Sequence, residues 1–240
     1  MTDTLAAPTT VEGAPRTYAF VQPDGTWFIN NAGFVVGDDH VVLTDTCATE
    51  RRTRALLDAV AAVTDAPVRV VVNTHHHGDH THGNYLCTDA VVVGHERCRE
   101  EIERTGIMAL DSVWGEVPWG SLEARSPDLT FTDGVDLAVG DLTVELRAFG
   151  AAAHTTNDVV AWVPERRVIY TGDLVFHGGT PFGVMGSITG SLAALDWLRS
   201  FGPEVIVPGH GPVCGVEVLD GIEAYFRFVT DLAAEGRAAG

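Results

Sequence analysis

The segment VVNTHHHGDHTHGN, Val71–Asn84, holds five histidines and one aspartate directly after an apolar run. In an extended segment, alternate side chains lie on the same side of the backbone. His75 and His77 can therefore face one point while His76 faces away from it. Imidazole nitrogens are ligands that zinc accepts, so the segment predicts a metal site.

The residues that follow enlarge this set of ligands. Gly78 permits a sharp turn, which brings Asp79 and His80 beside the point that His75 and His77 face. Four ligands within six residues are too many for one tetrahedral ion that also keeps a position open for water. The H-x-H-x-D-H pattern therefore indicates two ions that share this loop.

Three further polar residues stand at the ends of apolar, strand-like stretches. They are His154 in AFGAAAHTTND, Asp173 in VIYTGD and His210 in VIVPGHG. Glycines beside Asp173 and His210 let the backbone approach a shared centre. A single His or Asp in such a place is more often a cap or a turn residue than a ligand. Seven candidates in four similarly placed segments favour a binuclear metal site over that simpler interpretation.

Strand and helix patterns alternate in two similar halves. The first half is predicted to hold two strands within residues 27–46, a helix from Thr49 to about Val63 with Thr49 as its N-cap, the strands VRVVVN and AVVVGH, and the helix ERCREEIERTG. The second half is predicted to hold the strands DLTFTD, VDLAV, LTVELRAF, DVVAWV, RRVIYT and EVIVP, the helix SLAALDWLRSFG and a last helix across Val216–Leu232. This order predicts one α/β domain of αββα type over residues 17–240, after a flexible segment at residues 1–16.

The motifs THHHGDH, AHT, TGD and PGHG in this order resemble the metallo-β-lactamase-fold superfamily from about Thr17 onward. The resemblance implies a four-layer αββα sandwich with two zinc ions, for which iron or manganese are the substitutes. It assigns His75, His77 and His154 to the first ion, Asp79, His80 and His210 to the second, and Asp173 to a bridge between them. It leaves His76 and His82 in supporting roles outside the ligand set. Asp45 and Asn73 resemble supporting positions of the family, with a simple strand-end cap as the alternative for both.

The expected chemistry is hydrolysis of an acyl bond. Zinc lowers the pKa of a bound water from about 15.7 to about 7, so a hydroxide held between the ions is expected to act as the nucleophile. Asp79 is the predicted catalytic residue because its carboxylate can orient that nucleophile or take its proton. Esters, thioesters and lactones are the predicted bond types.

Related branches of the superfamily are disfavoured by single positions. The di-iron redox branch carries a glutamate where His77 stands, and antibiotic-cleaving members commonly carry a cysteine or no ligand at the position of Asp173. The stretch AAAHTTND also departs from the more usual GHT-x-G pattern, which leaves the substrate branch open.

A small, apolar substrate is predicted from the irregular, glycine-rich stretches. Loops of this composition with large apolar side chains suit an apolar ligand, although the same side chains could simply cover the core. The predicted substrate contacts are Trp114, Trp119, Phe176, His177, Phe182 and Met185.

Three other functions remain open at this point. One is an aromatic polyketide cyclase or thioesterase of the same fold, whose substrate is bound to a carrier protein. The arginines of one helix (Arg51, Arg52, Arg54) or of another (Arg97, Arg99, Arg104) could form the docking surface for that carrier protein. Another is a mononuclear iron enzyme that resembles the persulfide dioxygenases. The third is a non-catalytic binding module, which the presence of all seven ligands disfavours.

Composition excludes several partners. A formal net charge of −18 repels phosphate backbones, so nucleic acid is not expected to bind. No apolar run approaches the roughly 18 residues of a membrane span, and the first residues lack the pattern of a signal peptide. The four cysteines have no CxxC spacing, which is typical of reduced thiols in the cytoplasm. A cytoplasmic location is therefore expected, and the oligomeric state stays open.

Overall fold

The computed structural model describes residues 7–23, 28–108, 117–183 and 185–239. Two β-sheets pack face to face in this structure, and helices cover the outer face of each. This arrangement is the predicted αββα sandwich, so the predicted fold class is confirmed.

The first sheet has seven strands in sequence order. They are β1 (Thr9–Ala14), β2 (Thr17–Val21), β3 (Ala32–Val36), β4 (Val41–Thr44), β5 (Val68–Val72), β6 (Val91–His95) and β7 (Leu129–Phe131). The strands β1 to β4 pair antiparallel, and β4 to β7 pair parallel. Parallel strands send their carboxyl ends to one edge of the sheet, so the loop after β5 starts at that edge.

The second sheet has five strands in the order β12, β11, β10, β9, β8. They are β8 (Gly134–Val139), β9 (Leu142–Ala148), β10 (Val159–Val163), β11 (Val168–Phe176) and β12 (Val205–His210). Only β11 and β12 pair parallel, and the other pairs are antiparallel. The strands β9, β11 and β12 therefore run in one direction and end at the same edge.

The helices lie on the outer faces and between strands. They are α1 (Glu50–Val63), α2 (Gly78–Thr81), a 3-10 turn (Asn84–Leu86), α3 (Glu96–Thr105), α4 (Ile188–Ser200) and α5 (Val218–Ala239). Thr49 caps α1 as predicted, because its side chain accepts a hydrogen bond from the Arg52 amide. Ser187 caps α4 in the same way through the Gly190 amide.

Three apolar clusters hold the layers together. The central cluster joins the inner faces of the two sheets, with Val72 and Val93 from one and Leu146 and Tyr170 from the other. On the outer face of the first sheet, Leu56 of α1 packs in a second cluster, and a third cluster lies between the second sheet and the last two helices. Burial of apolar surface in all three clusters provides the main stabilisation of the fold.

Three predictions about the organisation of the chain are wrong in detail. Residues 9–14, assigned to the flexible segment 1–16, form edge strand β1 and pair antiparallel with β2. The strand DLTFTD, assigned to the second half, is β7 and pairs with β6 in the first sheet. Arg52, assigned to an outward basic face, is buried and donates a hydrogen bond to Gln22. Its burial removes it from any docking surface for a carrier protein.

Two further features of the described residues bear on the chemistry. None of their helices is long and apolar enough to cross a lipid bilayer. All four cysteines are free thiols, and Cys47, Cys87 and Cys98 are buried. Burial raises the pKa of Cys87 to about 11, so this thiol is protonated and unreactive at neutral pH.

Candidate metal centre

Two loops and two strands of the second sheet converge on one buried centre, and Asp173 lies within β11 rather than after a strand end. The loop after β5 carries the histidine cluster, the loop between β9 and β10 carries His154, β11 carries Asp173, and β12 ends at His210. The potential ligand atoms form two groups in which all atoms lie within 4.8 Å of one another. The first group contains His75, His77, His154 and Asp173, and the second contains Asp79, His80, Asp173 and His210.

The first group surrounds one carboxylate oxygen of Asp173. Oδ2 of Asp173 lies 3.3 Å from Nε2 of His154 and 3.9 Å from Nε2 of His75. Nδ1 of His77 lies 3.0 Å from Nε2 of His154. Three imidazole nitrogens and one carboxylate oxygen therefore point at a common space, which is a donor set that divalent transition metals accept.

The second group surrounds the other oxygen of the same carboxylate. Oδ1 of Asp173 lies 3.0 Å from Nε2 of His80 and 3.3 Å from Nε2 of His210. Oδ2 of Asp79 lies 3.4 Å from Nε2 of His210 and 3.6 Å from Nε2 of His80. The two oxygens of Asp173 thus face different groups, which is the arrangement of a bridging ligand.

Buried polar atoms without partners show that these residues suit metal ions. Among the described residues, Nε2 of His75, Nε2 of His80 and Oδ1 of Asp173 are buried and make no hydrogen bond of acceptable geometry. Buried polar atoms normally have a partner, because an unsatisfied one costs about 1–3 kcal/mol. Three such atoms in one centre would all be satisfied by divalent cations.

Burial and charge set the protonation of the ligands. Burial, aided by the nearby His80 imidazole, holds the pKa of His75 well below its ordinary value, and burial lowers the pKa of His77 to about 3. Burial alone would raise the pKa of Asp173, yet the facing imidazoles of His210 and His80 hold it well below the ordinary range. Neutral imidazoles and an ionised carboxylate are the forms that bind metal.

The second group carries more protons than the first. Burial alone would lower the pKa of His210, but the carboxylates of Asp173 and Asp79 raise it to about 9. Without a cation, this imidazole is therefore protonated at neutral pH. A metal ion that binds there must displace the proton, so binding to the second group is expected to strengthen as the pH rises.

Asp45 fixes the orientation of His80. Its Oδ2 lies 2.8 Å from Nδ1 of His80, and its two oxygens also accept hydrogen bonds from the backbone amide (2.8 Å) and hydroxyl (2.7 Å) of Thr74. Asp45 adopts a φ of 60°, a left-handed conformation that is rare for a residue with a side chain. A strained residue held by this many bonds indicates that the position serves the site.

The other four histidine rings of the two groups are held in place by a contact to the ring nitrogen that faces away from the centre. These partners are Thr74 Oγ1 for His75 (3.1 Å), the Phe182 carbonyl for His154 (2.7 Å), the Ile29 carbonyl for His210 (3.1 Å) and Met185 Sδ for His77 (3.3 Å). Such partners set the tautomer and the ring orientation of a ligating histidine.

Two glycines let the strands approach the bridging carboxylate. A Cβ on Gly209 would overlap Oδ1 of Asp173. Gly172 has a φ of 51°, and a Cβ there would overlap the Thr74 hydroxyl. The motifs TGD and PGHG need their glycines for this close approach.

The two remaining histidines of the loop face away from both groups. Nδ1 of His76 lies 3.0 Å from the Asn157 amide nitrogen. Nδ1 of His82 lies 3.3 Å from the Ala48 carbonyl, and its Nε2 accepts a hydrogen bond from the Met108 amide. Burial lowers the pKa of both rings, so both are neutral structural groups.

The predicted substrate contacts fall into several places. Phe176 stacks on the His210 ring at 4.8 Å, and Phe182 lies 6.3 Å from the His77 ring and 6.4 Å from the His154 ring. Met185 contacts His77, as described above. Trp119 lies beside His82 rather than beside a ligand. Trp114 lies outside the described residues.

His177 faces a groove next to the centre. Its Nδ1 lies 2.9 Å from the Pro212 carbonyl, and its amide donates to the His210 carbonyl. The groove has a volume of about 380 Å³ and is lined by residues 176–181 together with Val218, Gly221, Ile222 and Tyr225. Phe176 belongs both to this groove and to the stack on His210.

Phe28 is a residue of the site that the sequence did not reveal. It is half-buried, adopts a φ of 63°, and makes edge contacts with Trp119 at 5.6 Å and His82 at 5.8 Å. Its neighbour Ile29 supplies the carbonyl that holds His210. The local sequence pattern reads as the start of a strand, so the unusual backbone conformation has no sequence signal.

Comparison with known proteins identifies the family. Residues 25–210 match the family model of the metallo-beta-lactamase superfamily. This match covers more than half of the chain. The chain belongs to this superfamily, as its motifs indicated.

Two curated relatives share the family resemblance at low identity. Beta-lactamase-like protein 2 homolog of Caenorhabditis elegans is 27% identical over 171 residues, which are 71% of this chain and 51% of the relative. The linear primary-alkylsulfatase of Pseudomonas sp. (strain ATCC 19151) is 22% identical over 235 residues, and the match covers 81% of this chain and 43% of the relative. The chain thus spans about half the length of these relatives.

Solved structures show the same fold. A metallo-beta-lactamase from Pontibacter korlensis superposes with a TM-score of 0.77 at 20% identity, over 92% of this chain and 99% of the other. The DIM-1 metallo-beta-lactamase exposed to ceftazidime gives a TM-score of 0.76 at 15% identity, over 95% of this chain and 100% of the other. At these identities the likeness establishes the architecture alone.

Proposed function

We propose that the protein is a hydrolase that uses two zinc ions to cleave an acyl bond, an ester, thioester or lactone, in a small apolar substrate. The observation that carries the proposal is the position of Asp173, whose two carboxylate oxygens face two separate groups of ligands. A carboxylate in this position can hold two ions side by side. Membership of the metallo-beta-lactamase superfamily supports the same chemistry.

The ions, when bound, supply Lewis acidity that activates a water molecule and polarises a substrate carbonyl. Asp79 is then the residue of this chain best placed to handle a proton. Burial alone would raise its pKa, but His80 and the hydrogen-bonded His210 lower it, so the carboxylate is ionised at neutral pH. An ionised, buried carboxylate beside the reacting water can orient that water and accept its proton.

Apolar side chains beside the first group and an aromatic cluster beside the histidine loop support an apolar substrate. Phe182 and Met185 lie against the rings of the first group. Phe28, His82 and Trp119 form an aromatic cluster beside the loop that carries the second group. Such surfaces bind uncharged apolar groups by burial, at about 25 cal/mol per Å².

A substrate panel tests the proposal. The purified, metal-loaded protein is expected to hydrolyse 4-nitrophenyl hexanoate, an aryl thioester and a lactone, and to prefer the hexanoate to the acetate in kcat/KM. Trp119→Ala is expected to lower kcat/KM for the hexanoate by about 10-fold, because roughly 1.4 kcal/mol of apolar contact is lost, with a smaller effect on the acetate. Trp197→Ala is the matched control, since Trp197 packs on Phe149 and Phe201 instead of in this cluster.

The same panel includes substrates that would contradict the proposal. It adds a β-lactam and a primary alkyl sulfate, the latter because of the alkylsulfatase relative. Cleavage of the sulfate without any acyl substrate would replace the acyl-bond proposal. A polyketide product formed without added water would indicate a cyclase, and consumption of oxygen with a persulfide would indicate a dioxygenase.

A further inference from the structure

Asn31 joins the first sheet to the strand end that carries His210. It is buried directly before β3, and its side-chain amide donates hydrogen bonds to the carbonyls of Pro208 (3.0 Å) and Gly211 (2.6 Å). Its backbone amide donates to the Gly209 carbonyl at 2.6 Å. Asn31 therefore donates three hydrogen bonds to backbone carbonyls before and after His210. These carbonyls lie about 180 residues away from Asn31 in the sequence.

The same short segment also holds the His210 ring. Nδ1 of His210 lies 3.1 Å from the carbonyl of Ile29, two residues before Asn31. The Asn31 side-chain oxygen accepts a hydrogen bond from the Gln22 amide, which ties it to the end of β2. An amide NH2 group has two donors, and both of those in Asn31 are used on the turn around His210.

This turn is not fixed by its own sequence. Gly211 has a φ of 90°, and a Cβ there would overlap the His177 carbonyl. Glycine on both sides of His210 gives the backbone wide conformational freedom. The hydrogen bonds from Asn31 restrict that freedom at the place where the ligand leaves β12.

We propose that Asn31 is a positioning residue for the second metal site, acting through the backbone and ring of His210. The inference rests on the metal-dependent function proposed above. The first group is held by other partners, Thr74 for His75 and the Phe182 carbonyl for His154. Loss of the Asn31 amide therefore weakens the second site selectively, in the range of about 10-fold to 100-fold that the loss of a ligand's supporting partner causes.

The test compares variants of the full chain by metal titration. Asn31→Asp keeps the size and the acceptor oxygen but replaces the NH2 group with an oxygen that faces two carbonyls. Thr17→Val is the control, because Thr17 is a buried polar residue of the same sheet and its hydroxyl bonds the backbone of Ala14 instead of the turn around His210. Zinc affinity is measured by chelator competition, and cobalt absorption spectra report the geometry of each site.

The expected result is that Asn31→Asp binds the second ion about 10-fold to 100-fold more weakly, while its affinity for the first ion stays within about 3-fold. Thr17→Val is expected to keep both affinities. Equal weakening of both sites, or no weakening, overturns the positioning role. A wild-type chain that takes up fewer than two ions overturns the proposed function and, with it, this inference. Melting of the metal-free proteins checks folding, and Asn31→Ser, which keeps one donor, provides the same readout if Asn31→Asp does not fold.

Discussion

Replacing Asp173 with alanine is expected to remove high-affinity binding at both metal sites and to lower kcat/KM by about 1,000-fold or more. The reason is geometric, since one oxygen of this carboxylate faces the first group and the other faces the second. Loss of either group's other ligands leaves Asp173 in place for the remaining site. Loss of Asp173 also removes a negative charge that would offset the repulsion between the two metal ions, which weakens binding at both sites.

Metal content after exhaustive dialysis against a weak chelator measures this effect. Asp136→Ala is the control, because Asp136 is an exposed carboxylate of the same sheet that pairs with Arg147. The control is expected to keep two ions and full activity. An Asp173→Ala protein that still holds two ions would show that this carboxylate does not bridge them.

Two neighbouring histidines are expected to behave in opposite ways. His77→Ala removes a ligand of the first group, so the metal content should fall from two ions to about one and activity should fall by about 100-fold or more. His76→Ala removes a ring that contacts Asn157 instead, so two ions should remain. The cost of His76→Ala should appear in stability, at about 1–3 kcal/mol for a buried partner left unsatisfied.

This pair is its own control, because both residues are buried or nearly so and lie in one loop. Elemental analysis gives the metal content, and thermal melting gives the stability of each variant. Equal loss of metal from both variants would contradict the alternation of side chains from which the ligand set was predicted.

The ligand set could be predicted because short-range rules are enough for it. Alternation separates His75 and His77 from His76, and strands that run toward one edge gather His154, Asp173 and His210 there. The structure brings these residues together with Asp79 and His80 in two groups. The four-layer fold could be predicted for a similar reason, since most strands and helices carry strong apolar patterns.

The missed features depend on contacts that are distant in sequence. Strand β1 is largely exposed at a sheet edge and has few apolar residues, so no pattern marks it. Phe28 and Asn31 read as ordinary members of a strand, and their roles arise from packing on Trp119 and from bonds to Pro208 and Gly211. Arg52 reads as an exposed helix residue, but its contact with Gln22 buries it.

The most direct test of the account is the metal content of the wild-type protein, purified without added metal and then titrated with zinc. Two zinc ions per chain are expected at saturation, with the second bound more tightly as the pH rises because His210 must lose its proton. Saturation at one ion, or a single tightly bound iron, would contradict the account.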